Sequence, residues 1–224
     1  MGNMYLYGGT IGRTRYPTFI HRGIKKNLPR PVVKSRYGGP GKLLLETEWF
    51  QYLSQQAEKN VESYFSEVIN TNCRFITLYQ SLERCKLIVP NDLRINGTFF
   101  TSVSVIPSKN KDVNHVHLHM DRNDIISCVF FMGNDVDGGD SVFYDGKDSN
   151  NCNDYVHHEK FVHGKSITGE FSKILHGATI WKGFRLTIVF YTNKKIYNHF
   201  LTYGMHYYQN YKDMKHPSNF ISLG

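Results

Sequence analysis

Apolar residues along the chain change period near residue 97, and that change divides it into a helical part and a strand-rich part. From Glu46 to about Ile69, Trp49, Leu53, Ala57, Val61, Tyr64, Phe65 and Val68 recur at three- and four-residue steps, which predicts an amphipathic helix covering a core. A shorter helix is expected around Leu78–Lys86, ending before Pro90. After Asn96, Phe99–Val105, Asn114–His119 and Ile125–Met132 are rich in Val, Phe, Ile and Ser between polar turns, and read as strands. Asn150–Lys165 reads as a long polar loop within a stretch, 144–166, that could cover a substrate. Glu170–Leu175, Ala178–Trp181 and Phe184–Tyr191 follow as strand-like runs, and the Tyr-rich tail from Asn193 has no clear period. A helix followed by many short strands predicts an antiparallel barrel or sandwich backed by helices.

Composition adds a location to this outline. Nine of the 27 Lys and Arg lie before residue 46, and no Asp or Glu precedes Glu46, so the net charge of +8 belongs to one segment. Residues 1–45 are thus expected to form a basic arm, and 46–224 the folded domain with its supporting helix. The arm is rich in Gly and Pro, reads as extended or irregular chain, and interleaves Tyr5, Tyr7, Tyr16, Phe19 and Tyr37 with its cations. That mixture suits phosphate neutralisation and stacking on bases, although a solvated arm would have the same composition. The longest strongly apolar run, Ile125–Met132, is too short to span a membrane. Cys73, Cys85, Cys128 and Cys152 form no CxxC pair. They read as reduced thiols, and with no signal-like N-terminus they point to an intracellular chain, cytoplasmic or nuclear.

The chemistry is concentrated in Asn114–Asp121, which reads N-H-V-H-L-H-M-D. On a strand, His115, His117, His119 and Asp121 share a face, because side chains alternate. Two imidazoles and one carboxylate with open positions are the ligand set of non-haem Fe(II) oxygenases. His119 and Asp121 can supply two of the three ligands, and His176 is the candidate for the third. If Lys182-Gly183 is a two-residue hairpin turn, His176 faces Val189, and His176, Arg185 and Thr187 all point one way. Arg185 would then lie roughly 13 Å from His176 along the sheet, a span that a five-carbon diacid and an Arg side chain together cover. A guanidinium grips a carboxylate bidentately, and the Thr187 hydroxyl could add a hydrogen bond.

Three segments in order, H-M-D (119–121), G-G-D-S-V-F (138–143) and H-G-A-T-I-W-K-G-F-R-L-T (176–187), resemble the 2-oxoglutarate/Fe(II)-dependent dioxygenase superfamily. The resemblance covers about residues 97–192. It implies a double-stranded β-helix (jelly roll), iron on His119, Asp121 and His176, and 2-oxoglutarate held by Arg185 with Thr187. It also implies use of O₂ to hydroxylate a C–H bond. The basic arm points to nucleic acid as partner and to a methylated base as substrate, as in TET/JBP-type enzymes. A prolyl-type protein hydroxylase, a small-molecule oxygenase and a non-catalytic nucleic-acid-binding jelly roll are the other readings.

Competing readings attach to nearby residues. His117, His119, Asp124 and His176 could form a cupin-like site, but that leaves Arg185 unexplained. His115 and His117 read as spare imidazoles. His157, His158, Glu159 and His163 lie in the polar loop without regular ligand spacing. Gly138-Gly139 is expected to bend the chain into the next strand, and Trp181 and Phe184 to sit in the core or on a sheet face.

Overall fold

The computed structural model describes residues 45–107, 114–144 and 157–214, together with the strand backbones at Tyr5–Thr10, Thr18–His21, Ile24–Asn27 and Arg30–Val32. These four strands are β1 to β4. Helices α1 (Glu48–Val68) and α2 (Cys73–Ile88) follow, with a short 3-10 turn at Asn91–Leu93. Then come β5 (Ser102–Pro107), β6 (Asn114–His119), β7 (Asp124–Gly138), β8 (Ser141–Tyr144), β9 (His157–Glu159), β10 (Ser166–Gly169) and β11 (Leu175–Asn193). Helix α3 (Lys194–Met214) closes the described chain. None of these helices is long and apolar enough to cross a membrane.

Both early helices are marked by their caps. Thr47 Oγ1 accepts from Phe50 N at 3.3 Å and Glu48 occupies the first turn, where an acid complements the helix dipole. Asn72 Oδ1 accepts from Arg74 N at 3.0 Å, and α2 stops just short of Pro90, which cannot continue a helix. On α1 the buried face is Phe50, Leu53, Ala57, Val61 and Phe65, whereas Trp49 is 46% exposed. The apolar stripe therefore begins at Phe50, one position later than the sequence suggested. Each large apolar side chain buried there contributes roughly 1.5–3 kcal/mol.

The sheet runs β10-β7-β11-β5-β1-β4, with β6 and β8 also paired to β11 and β9 paired to β8. Every pairing is antiparallel, and β2 and β3 form a separate ribbon. The curl comes from β11, which pairs with β6 and β8 through its first third and with β5 and β7 through the remainder. The architecture is mainly β with flanking helices, a curled antiparallel sheet of the jelly-roll kind. Within the basic arm, β1 joins this sheet beside β5, with Tyr5 opposite Val105 and Gly8 opposite Ser102.

Alternation on β7 and β11 separates two cores. Cys128, Phe130, Met132, Leu186, Ile188 and Phe190 face the helices, in one cluster with Phe50, Phe65, Leu82 and Phe200. Val129, Phe131 and Val189 face the other way, into a second cluster with Phe171, Phe143, Phe161 and Ile167. The second cluster carries the candidate site. One expectation from the sequence fails here, and one stretch left open gains its form. Residues 170–174 form a turn, with Lys173 N on Glu170 O at 2.9 Å, in place of a strand over Glu170–Leu175. The tail after Asn193 is helical, started by Asn193 Oδ1 accepting from Lys195 N at 2.9 Å and packed through Ile196, Tyr197 and Phe200.

Candidate metal centre and anion pocket

His119 ends β6 and stands directly opposite His176 on β11, so the strand pairing itself brings the two imidazoles together. Their ring centroids are 4.4 Å apart. Asp121 lies two residues past the end of β6, in a turn fixed by Asp124 N on Asp121 O and by Asp121 N on Phe171 O. Its carboxylate reaches both rings, at 3.7 Å from His119 Nε2 and 3.4 Å from His176 Nε2. One ligand atom from each of the three residues falls within 4.8 Å of the others, the spacing of a facial metal site. No other such group of three exists among the described residues.

The tautomer of His176 is set by its surroundings. Its Nδ1 lies 2.9 Å from Ile174 O, which can only accept, so that nitrogen donates and Nε2 is the atom turned toward Asp121. The His176 side chain is only 13% exposed and rests on Phe171 at 4.8 Å, with Phe143 beyond at 6.5 Å. The His119 side chain, at 45%, leaves the opposite side open. Asp124 is not part of the group. It is buried and takes a 3.0 Å hydrogen bond from Ser127 Oγ. Burial, reinforced by Asp121, pushes its carboxyl up to about 7. Among the described residues the group of three thus includes Asp121 and not Asp124, while His117 of the cupin-like alternative has its side chain outside them.

Across the same aromatic cluster sits Arg185. It is 4% exposed, with its guanidinium carbon 4.8 Å from the rings of Phe131 and Trp181 and 5.7 Å from Phe161. Burial pulls its pKa down to about 10 while Asp140 pulls it back up, so the group stays a cation near neutral pH. A buried cation among three aromatic rings is a ready site for a carboxylate. Thr187, half-buried, is two residues on and shares that face of β11. Room for this arrangement comes from Gly139, where a Cβ would meet Trp181 Cβ at 3.1 Å and Arg185 Nη1 at 3.3 Å. Trp181 Nε1 is buried and has no hydrogen-bond partner among the described residues. A donor left so beside a cation fits an anionic guest.

Several sequence expectations are altered by these contacts. Lys182-Gly183 is not a hairpin turn. Residues 175–193 are one strand, His176 faces His119 and Phe143, and Val189 faces Val129 and Ser104. The physical reason is that Gly183, with φ +86°, fits opposite a bulge in β7 at Asp135, itself at φ +53°, so the strand continues past it. His176 and Arg185 still meet the same cluster, because between Ala178 and Trp181 β11 carries one residue more than β6, which reverses its alternation. The imidazoles of the 157–163 segment do not converge. His157 pairs with Glu159 at 2.7 Å, His158 with Asp140 at 3.2 Å, and His163 Nδ1 lies 2.9 Å from Gly133 O. Gly138 and Gly139 do bend the chain from β7 into β8, at φ +80° and +77°. Trp181 is buried, as expected of a core residue, while Phe184 is exposed. The side chains of His115 and His117 and the segment 145–156 lie outside the described residues.

Phe131, Phe161, Phe171, Trp181 and Asp140 escaped the sequence reading as site residues. For Asp140 a signal existed in G-G-D. It takes Phe161 N on Oδ1 at 2.8 Å and exchanges backbone and side-chain bonds with Thr179, so it ties the segment after β9 to the pocket wall.

No family model and no curated protein matches the chain. Among solved structures it is similar to NgTET1 in complex with 5mC DNA, at 17% identity and a TM-score of 0.46, over 87% of this chain and 62% of that one. It is similar to a 2OG-Fe(II) oxygenase family oxidoreductase from Burkholderia pseudomallei, at 16% identity and a TM-score of 0.32, over 43% of this chain and 47% of the other. A Pseudomonas putida prolyl-4-hydroxylase is similar at 13% identity and a TM-score of 0.32, over 42% and 53%. The chain thus spans 62% or less of each of these proteins.

Proposed function

We propose that the protein is an Fe(II)- and 2-oxoglutarate-dependent dioxygenase that hydroxylates a C–H bond, with a methylated base in nucleic acid as substrate. One observation carries the enzymatic part: a His-Asp-His group and a buried Arg cation border the same aromatic cluster. His119, Asp121 and His176 would hold the metal, and Arg185 with Thr187 the far carboxylate of the keto-acid. Iron and keto-acid, when bound, supply O₂ activation coupled to decarboxylation and C–H hydroxylation. The chain supplies position. Ile174 O holds His176 in the tautomer that presents Nε2, and Phe171 and Phe143 shield that ring from water. Arg185 would hold the far carboxylate of the diacid through its guanidinium N–H groups.

Support for nucleic acid comes from the arm. Its positive charge lies in residues 1–45, and β1 attaches its backbone beside β5, which in turn pairs with β11. A basic segment is therefore joined to the sheet that carries His176 and Arg185.

Anaerobic addition of Fe(II) and 2-oxoglutarate should give a weak visible charge-transfer band, and turnover should release succinate. Iron-loaded protein lacking both would leave a non-catalytic binding protein as the better reading. For substrate, mass spectrometry of methylated DNA and of peptide pools after incubation should show oxidation in the DNA only; oxidised prolyl peptides would replace this reading with a protein hydroxylase. Because β1 is part of the sheet, the arm is better tested by Lys25→Gln, Lys26→Gln and Arg30→Gln together than by truncation. DNA affinity should fall steeply with salt, with a shallower slope in that variant.

A further inference from the structure

The resemblance that points to Arg185 and Thr187 assigns no role to Trp181. We infer that the indole N–H of Trp181 is a third donor for the far carboxylate of the diacid, a binding residue that helps select a dicarboxylate. The inference rests on the oxygenase reading above. Three observations meet at this residue. Trp181 is 6% exposed, and its Nε1 has no hydrogen-bond partner among the described residues, which costs stability unless a guest accepts that bond. Its ring centroid lies 4.8 Å from the Arg185 guanidinium carbon, so the indole and the cation are immediate neighbours. Gly139, at φ +77°, lies against both at once, with a Cβ position 3.1 Å from Trp181 Cβ and 3.3 Å from Arg185 Nη1. A side chain at 139 would press on both the base of the indole and the guanidinium, and glycine leaves them their places.

Phe131 and Phe161 also lie against the Arg185 guanidinium, with ring centroids at 4.8 and 5.7 Å, and Arg185 is 4% exposed. An anion entering here finds little water to compete for it, so each added donor counts for more than at the surface. The arrangement is suited to a carboxylate, which accepts several hydrogen bonds through two oxygens. It does nothing for a keto-acid lacking that second carboxylate, and selection follows.

The test is isothermal calorimetry on Mn(II)-loaded protein without O₂, comparing wild type with Trp181→Phe, which keeps an aromatic ring beside Arg185 and removes the N–H together with the five-membered ring that carries it. The ligands are 2-oxoglutarate and 2-oxobutyrate, which share the chelating end and differ in the far carboxylate. The variant should bind 2-oxoglutarate about ten-fold more weakly or worse, and 2-oxobutyrate as wild type does. Unchanged 2-oxoglutarate affinity, or an equal loss for both ligands, overturns the role of Trp181 while leaving the oxygenase reading in place. Wild-type protein that binds metal but not 2-oxoglutarate overturns both. A second measurement keeps Trp181 intact. In Trp49→Phe protein, where Trp181 is the remaining indole, the resonance Raman mode that reports indole N–H hydrogen bonding should shift with 2-oxoglutarate. The same mode should stay put with 2-oxobutyrate, and no shift with either ligand refutes the bond.

Discussion

His119 and His176 are directly opposed across the ladder of β6 and β11, with ring centroids 4.4 Å apart. Their meeting depends on strand register, because a slip of one residue would turn one ring to the other face. His176→Ala should therefore weaken Mn(II) or Fe(II) binding on the order of 100-fold or more, measured by anaerobic titration. His115→Ala should leave it unchanged. Equal losses in both would show that β6 contributes a different imidazole.

Arg185→Lys tests the anion end. Lysine keeps the charge but loses the planar fork and the stacking on Phe131 and Trp181. Affinity for 2-oxoglutarate should drop roughly 10–100-fold, with metal affinity intact. The pH dependence has a defined sign. Burial lowers the Arg185 pKa to about 10, still above neutrality, so this cation gives flat 2-oxoglutarate binding from pH 6 to 9. Binding should weaken as pH rises through about 10. Calorimetry across that range reads both limbs.

Two glycines separate backbone strain from steric clash. Gly164, at φ +80°, has nothing within 4 Å of its Cβ position, so Gly164→Ala bears only the left-handed backbone, about 1–2 kcal/mol. Gly183, at φ +86°, would drive a Cβ to 2.1 Å from Asp135 O, which is backbone and cannot step aside. Gly183→Ala should lose at least roughly 3 kcal/mol. Urea denaturation of the two variants gives the comparison directly, and equal losses would mean that the β7 bulge yields.

The thiols should differ in reactivity. Burial pushes Cys85 up to about 12 and Cys128 up to about 11, whereas Cys73 is exposed at the start of α2. Iodoacetamide at neutral pH should label Cys73 and spare Cys85 and Cys128 until denaturant is added, because the thiolate is the nucleophile. Peptide mapping resolves the sites.

The sequence carried the chemistry more fully than the connections. H-M-D and the distant His176 are short local patterns, and the chain does bring them into one group. α1 was legible because its apolar residues keep helical spacing over 21 residues. β7 was cut short at Met132 because Gly133-Asn134-Asp135 reads as a turn, whereas the strand absorbs those residues in a bulge and runs on to Gly138. Lys182-Gly183 misled in the same way. A glycine with positive φ marks a hairpin or a bulge partner equally well, and only pairing distant in sequence decides between them. The tail concealed its helix because Gly204 interrupts the period and much of its surface is polar. Trp181 read as a core or sheet-face residue, Phe131 as part of a strand, and Phe161 fell within the polar loop. Their role depends on Arg185 lying among them, a three-dimensional fact that no spacing in the chain encodes.

The two faces of β7 and β11 answer to different demands. On one side Phe130, Ile188 and Phe190 lock the sheet to its helices, and on the other Phe131, Arg185 and Thr187 face the proposed ligand site. A change at every second position can therefore remake the guest that is accepted while the helices keep their hold. Selection on chemistry and selection on folding draw on alternate letters of the same words.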